Sequence, residues 1–312
     1  MLSALNNEIE LLDAQAYKNI AVIPIKTPIN YKFDILTLAK GFELGLVKVK
    51  ECETSTVNTI IVMNNSITPL LLVDGEEVIG GDQNRIVNST VLVAPQTEMK
   101  IPVNCTEHGR WGFKHDFIHS EYMANSRTRY LKALSSSENK DEQNAVWDSI
   151  ASLEKSRGFS SKTQAMSESY DNVKFDFTES INEFKILDGQ TGILIMIDGK
   201  IKGFEMFFNS EIYAQYHEKI LKSYLIDTEI NDSAFSINID EAKSFITNAI
   251  DSDFSGKKSI GLETPYEFKN ETGLGKVYAY KDEIIHLSYF SDIEELNQDQ
   301  KDLEGTEILF DS

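Results

Sequence analysis

The stretch that most constrains this chain runs from Leu46 to Cys105, where short β-branched runs follow one another with turn residues between them. Thr59 to Met63 (TIIVM), Leu70 to Val73 (LLLV), Ile86 to Val93 (IVNSTVLV) and Met99 to Val103 (MKIPV) each read as a strand. Asn64-Asn65-Ser66 and Asp74-Gly75 separate them, and these residue types tolerate the backbone angles of tight turns. The pattern predicts a sandwich-like, mostly antiparallel β-rich N-terminal half.

The flanking regions are mixed. Asn19 to Ile25 (NIAVIPI) reads as a first strand, and Asp34 to Phe42 as a helix ended by Gly41 or Gly45. Asp141 to Glu154 places Val146, Ile150 and Leu153 on one helical face, with Trp147 beside them in the core and Gly158 as the stop. The Ser-rich stretches Ser135 to Lys140 and Ser160 to Asn172 read as surface loops that could form a mobile lid. Gly192 to Ile197 and Lys200 to Phe207 flank Asp198-Gly199, the clearest hairpin in the chain. Helices are expected over Glu211 to Leu225 and Asp240 to Ile250, and a second hairpin over Lys276 to Tyr280 and Ile284 to Tyr289. The expectation is an α+β chain in three parts: a β-rich region 1–115, a mixed α/β region 116–291 packed with it as one unit, and an acidic tail 292–312. That tail holds eight acidic residues and one lysine and reads as solvated.

Charge and composition exclude several classes. With 30 Lys+Arg against 50 Asp+Glu the chain carries a net charge of −20, which repels phosphate backbones and anionic lipid surfaces, so nonspecific nucleic-acid binding is not expected. At 41% hydrophobic residues, 312 residues suffice to bury a core. Two cysteines, Cys52 and Cys105, rule out a disulfide scaffold and a Cys-only zinc site. No apolar run reaches membrane-spanning length and no basic leader opens the chain, so a soluble, cytoplasmic protein is expected.

Chemistry concentrates in two clusters. Asp74 to Arg85 (DGEEVIGGDQNR) sets Glu76, Glu77, Asp82, Gln83, Asn84 and Arg85 around Gly80-Gly81. Paired glycines let backbone approach a ligand, Gln, Asn and Arg give directional donors for a phosphate or sugar, and the carboxylates suit a general base or a hard cation. The plainer reading is a charged hairpin loop. Cys105 to Trp111 (CTEHGRW) follows, with Lys114, His115 and His119; three of the five histidines fall between His108 and His119. Arg110 offers a phosphate-binding fork, Trp111 a stacking face, and Glu107 and His108 acid–base groups. The spacing of Cys105, His108 and His115 fits no common zinc module, and Cys105 beside a strand reads better as a small buried hydrophobe than as a nucleophile. His286, between Ile285 and Leu287, reads as a satisfied strand-face histidine. Nucleotide and hydrolase motifs of the GxGxxG, Walker A, GxSxG and HExxH types are absent.

The combination LLLVDGEEVIGGDQNRIVNSTVLV and IPVNCTEHGRW resembles the ADP-ribosylglycohydrolase- and rhodanese-phosphatase-associated protein domain family. GILIMIDGKIKGFEMF, KILKSYLID and KVYAYKDEIIHLSYF are similar to its downstream blocks, so the likeness spans about Tyr17 to Phe290. The resemblance implies an α+β fold and a context of systems that make, remove or process ADP-ribose. It carries over Glu77, Gln83, Asn84, Arg85, Asn88, Cys105, Glu107, Gly109, Arg110 and Trp111; the family usually has Gln where this chain has His108. The expected function is thus processing or binding of an ADP-ribose-type nucleotide, in a conflict or defence system linked to ADP-ribose or NAD. Arg85 and Arg110 would hold the pyrophosphate, Trp111 the adenine, and Gln83, Asn84 and Asn88 further polar groups, while Glu77 or Glu107 would activate water. No cofactor is expected beyond a divalent cation that Glu76, Glu77 or Asp82 would hold. The alternative is a non-catalytic module that captures a nucleotide or docks a defence-system partner, with homo-oligomerisation open in either case.

Overall fold

The computed structural model describes residues 8–27, 31–52 and 58–291. The expected acidic tail, 292–312, lies outside the described residues. The chain begins with strands β1 (Glu10–Leu11), β2 (Gln15–Tyr17), β3 (Ile20–Lys26) and β4 (Leu36–Thr37), then helix α1 (Leu38–Glu43). Strands β5 (Val47–Glu51), β6 (Thr59–Asn64), β7 (Leu70–Leu72), β8 (Glu76–Ile79), β9 (Arg85–Val87), β10 (Val91–Val93), β11 (Thr97–Cys105) and β12 (Ile118–Met123) follow. A helical section comprises α2 (Ser126–Ser137), α3 (Glu142–Ser156), α4 (Met166–Asn172) and α5 (Lys174–Glu183). The rest is β13 (Gly192–Ile197), β14 (Lys200–Met206), α6 (Ser210–Leu225), α7 (Ile239–Ile250), β15 (Phe254–Gly256), β16 (Thr264–Asn270), β17 (Gly273–Tyr280) and β18 (Glu283–Ser291). The fold is α+β, and every strand pair among the described residues is antiparallel except β4 with β7.

Three sheets share the strands. The largest runs β1-β3-β13-β14-β18-β17-β16-β15 with β2 also on β3; the others run β12-β8-β9-β11-β6-β5 and β10-β7-β4. Side chains alternate across a strand, and β7 uses both faces: Leu70 and Leu72 enter a smaller core with Val62 and Val103, while Leu71 and Val73 enter the main core with Ile195 and Leu287. Being buried on both sides is why the sequence there reads LLLV rather than apolar–polar. In the large sheet the β13–β14 turn holds Asp198 at φ +51° and Gly199 at φ +76°, the left-handed pair of a two-residue hairpin. Tyr280 and Glu283 likewise pair across Lys281-Asp282. The helices expected over Glu211 to Leu225 and Asp240 to Ile250 are α6 and α7, and α3 is capped by Asp141, which accepts from Gln143 N and Asn144 N.

Several local expectations are corrected. Asp34 to Phe42 is only partly helical, because Leu36 pairs with Leu70 and Thr37 then caps a shorter α1. Ile86 to Val93 is two strands rather than one: Val87 pairs with Val103 in one sheet and Val91 with Leu72 in another, the crossing fixed by Thr90 Oγ1 accepting from Asp74 N (3.0 Å). Ser135 to Ser137 closes α2. That helix lacks an obvious apolar stripe because its inward face carries Arg129 and Lys132, both buried. Arg129 makes a two-pronged contact with Glu205 (2.7 and 2.9 Å), a geometry in which a charge pair can stay in a core. The stretch from Ser160 to Asn172 is not all loop: it ends in α4, whose Tyr170 is buried, donates to Met123 O (2.8 Å) and stacks on Tyr122. Trp147 is half-buried rather than core, its ring edge-on to His108.

Candidate functional site

Strand register brings the two clusters together. β9 pairs with β11 so that Arg85 lies opposite Cys105, and in an antiparallel pair the residues before one face the residues after the other. Thr106 N accordingly donates to Asn84 O (3.0 Å), and Gln83 Nε2 to Glu107 O (2.8 Å).

Glu76 and Glu77, expected in a charged loop, lie on β8 and are fully buried. Alternation along the strand separates them. Glu76 accepts from Lys219 Nζ (3.0 Å), Tyr216 OH (3.1 Å) and Val73 N (2.8 Å), tying β8 to α6. Glu77 accepts from Thr106 Oγ1 (2.8 Å) and Ser120 Oγ (3.0 Å). Burial pushes the Glu77 carboxyl up to about 7 against these two donors, and the charge of Glu107 adds to the rise.

Gly80 and Gly81 turn β8 into the second cluster, with φ of +126° and +51°. A Cβ on Gly81 would lie 2.4 Å from Phe117 Cζ, so what the paired glycines admit here is the chain's own segment 114–117. Gly81 N donates to His115 O (2.8 Å) and Lys114 N to Gly81 O (3.1 Å). Arg110 then locks the turn. Its Nη1 donates to Gly81 O and Gly112 O (both 2.8 Å), and its Nη2 to Gly80 O and Asn84 Oδ1 (both 3.2 Å) and to Glu107 Oε2 (2.6 Å). Burial works against ionised Glu107, but the Arg110 guanidinium and the Thr163 hydroxyl hold its carboxyl below the usual range.

Gln83, Asn84 and Arg85 are buried as well, with Arg85 Nη1 donating to Gln83 Oε1 (3.2 Å) and Arg85 Nη2 lying 3.7 Å from Glu51. Nε of Arg85 and of Arg110 lacks an acceptor among the described residues. Asn88 stands apart: its carbonyl accepts from Lys132 Nζ (2.9 Å), and Lys132 is paired with Asp74. Trp111 is 65% exposed and Phe113 67%, so the pinned segment presents two aromatic rings outward. His108, earlier on the same segment, meets Trp147 at 4.5 Å between ring centroids, on the wall of a cavity of about 340 Å³ that Asn144, Asp148 and Gln164 also line.

The groups that hold this arrangement from elsewhere carry no signature in the sequence. Gln143 clamps Cys105 through both its N–H and its carbonyl (2.7 and 2.9 Å), Gly109 N donates to Thr163 O (2.8 Å), and Met166 N donates to Thr106 O (2.9 Å). These partners are single residues in α3, α4 and the segment between them, two of them acting through their backbone, with no pattern of their own. Cys105 is buried and its thiol is pushed up by that burial, as fits a packing residue. His286 is buried too, with Thr90 Oγ1 at 2.9 Å from its Nδ1. No cluster of three or more His, Cys, Asp or Glu forms a metal-binding group among the described residues, and no helix there is long and apolar enough to cross a membrane.

The model of the ARG and Rhodanese-Phosphatase-superfamily-associated Protein domain matches residues 8–290. The chain belongs to this family. The match takes in both clusters, the helices that clamp them and the large sheet through β18, so the family's domain and the described fold coincide. No curated protein and no solved structure matches the chain.

Proposed function

We propose that this chain captures an ADP-ribose-type nucleotide on the face formed by residues 107–117. The observation that carries the reading is Trp111 and Phe113 standing exposed on a segment that Arg110 fixes to five acceptors. An aromatic residue whose backbone is already held loses less freedom when a base stacks on its ring, which is what a nucleotide platform requires. The cavity of about 340 Å³ beside His108 falls within the range of small-molecule sites, and the amides of Asn144 and Gln164 with the carboxylate of Asp148 supply donors and acceptors for a base edge or ribose. Lys114, exposed on the same segment, supplies positive charge for the pyrophosphate. ADP-ribose is the substrate class because the family name associates the domain with ARG, which we read as ADP-ribosylglycohydrolase, and an NAD- or ADP-ribose-linked defence system is the setting that fits.

Capture is favoured over turnover. Glu77 is fully buried with both oxygens engaged, and Glu107 is paired with Arg110, so neither is free to take a proton from water. Hydrolysis is the second reading, favoured by one observation: Glu77 is pushed up to about 7 while neighbouring Glu107 is held low, the split expected of an acid and a base. Incubation with ADP-ribose, NAD and cyclic ADP-ribose, followed by chromatography of the nucleotides, separates the two. Retained, intact nucleotide supports capture and altered products support hydrolysis; a nucleotide neither retained nor altered removes both.

A further inference from the structure

A smaller cavity opens on the large sheet. It is about 210 Å³ and lies between α2, β15 and the strands β16 and β17. None of its lining residues falls within 74–85 or 105–117.

A chain of alternating charges ends at its wall. Lys132 is paired with Asp74 and donates to Val87 O and Asn88 O, and Lys257 is paired with Glu267 (3.0 Å). Lys276, on β17, stands between the two carboxylates, 4.0 Å from Asp74 and 3.9 Å from Glu267. Both separations exceed hydrogen-bond reach, and each carboxylate has a nearer lysine. Three lysines thus share two carboxylates, and Lys276 is the cation left over. The other charged groups on the wall, Lys269 and Asp253, cancel one another.

Lys276 is only 9% exposed, and its ammonium donates no hydrogen bond among the described residues. Unlike Nε of Arg85 and of Arg110, its Nζ is not sealed from solvent: the side chain keeps 11% of its surface open and lines the cavity. Burial works against the charge, but Tyr278, Asp74 and Glu267, with the least share from Glu142 on α3, hold the ammonium above the usual lysine range. The group at the cavity wall is therefore a cation with unfilled donors, in a protein whose net charge is −20.

Such a group calls for an anion, and one surplus charge calls for a monoanion. Phe268, Leu274 and Ala133 give the cavity an apolar side, with the Phe268 ring held between those of Phe254 and Tyr289 (4.6 and 5.4 Å between centroids). The volume lies below the range of drug-sized ligands, so the occupant has few heavy atoms. Inorganic phosphate has no apolar surface for that side and brings more charge than the site has to neutralise.

We infer that this cavity binds a small organic monoanion, a carboxylate with a short apolar body. Its oxygens accept from the Lys276 ammonium while the body lies against Phe268 and Leu274. The site is separate from nucleotide capture at Trp111 and does not depend on it.

Saturation-transfer NMR on the full chain at constant ionic strength, with butyrate as the probe, tests this. Transfer to the butyrate protons is expected, with little to butyramide, which keeps the shape and lacks the charge. Lys276→Met keeps the stem, removes the surplus cation and leaves Asp74 and Glu267 their nearer lysines; butyrate affinity should fall roughly tenfold. Lys48→Gln, at an exposed lysine on β5, should leave affinity unchanged. The comparison of butyrate with butyramide needs wild-type protein alone, so it decides the matter if Lys276→Met unfolds. Equal transfer to the two probes, no transfer from butyrate up to about 50 mM, or equal losses in the two variants overturns the inference. Phosphate displacing butyrate at a concentration below that at which butyrate itself binds overturns it as well, in favour of an inorganic anion.

Discussion

Around Arg110, a guanidinium, two carboxylates and two side-chain amides all hold other parts of the protein. In the cleft of about 400 Å³ between the start of α2, the second half of α3 and the end of α6, similar side chains, among them Asp198, Glu229, Arg127 and Lys202, surround open space. The first group is compact in sequence, within 74–85 and 105–112. The second is drawn from Ser126 to Ser291. The contrast teaches that a dense polar run can mark backbone that must be held, whereas an open polar surface is assembled from residues that look ordinary one by one. In the capture we propose, function in the first region then falls to what the lattice displays, Trp111 and Phe113, rather than to its most chemically suggestive members.

Substitutions that delete polar groups separate the two regions. The largest effect is expected for Arg110→Ala, which strips five contacts and leaves Glu107 a buried, unpaired charge. Denaturant unfolding should show a loss of about 3–5 kcal/mol, and a loss below about 1 kcal/mol would mean that the lattice is not closed.

Glu77→Gln should act in the opposite direction and depend on pH. The folded-state carboxyl is raised to about 7 from an ordinary value of 4.5, so its contribution is fully present below 4.5 and is lost as pH rises through 7. The glutamine variant carries no such penalty. It should therefore be more stable than wild type by about 3 kcal/mol at pH 8, with the difference vanishing below pH 4.5. Parallel stability curves for the two proteins would show that Glu77 is not held in a raised state.

Gly81→Ala drives a Cβ to 2.4 Å from Phe117 and 2.5 Å from Glu51 at a left-handed backbone position. A loss of about 1–3 kcal/mol is expected from the same unfolding measurement. The smallest effect belongs to the wall of the open region: Tyr224→Phe removes a hydroxyl that has no hydrogen-bond partner among the described residues and should leave stability within about 0.5 kcal/mol of wild type or slightly above it. A loss as large as that of Arg110→Ala would erase the distinction between the regions.

The sequence was most legible where one physical cause dominates. Asp198-Gly199 and the amphipathic α3, α6 and α7 stand where turn chemistry and periodicity place them. Legibility failed where burial is polar. Arg129 and Lys132 hide the inward face of α2, and Glu76 and Glu77 make a buried strand look like a loop. Ile86 to Val93 reads as one strand because local pattern carries no information about which sheet each half joins. In the candidate site, the meeting of the Gln83 and Glu107 segments follows from register, which only pairing partners reveal. Gln143 and Ser120 are single polar residues on distant elements whose part in the site exists only in three dimensions.

The lattice-and-display arrangement is tested most directly by calorimetric titration of ADP-ribose into wild-type protein and Trp111→Ala, with thermal unfolding of the same samples. Removing an exposed ring should leave the melting temperature unchanged while affinity falls by about 1–3 kcal/mol, the worth of one base stacked on an aromatic face. Equal affinity in the two proteins would contradict display at Trp111.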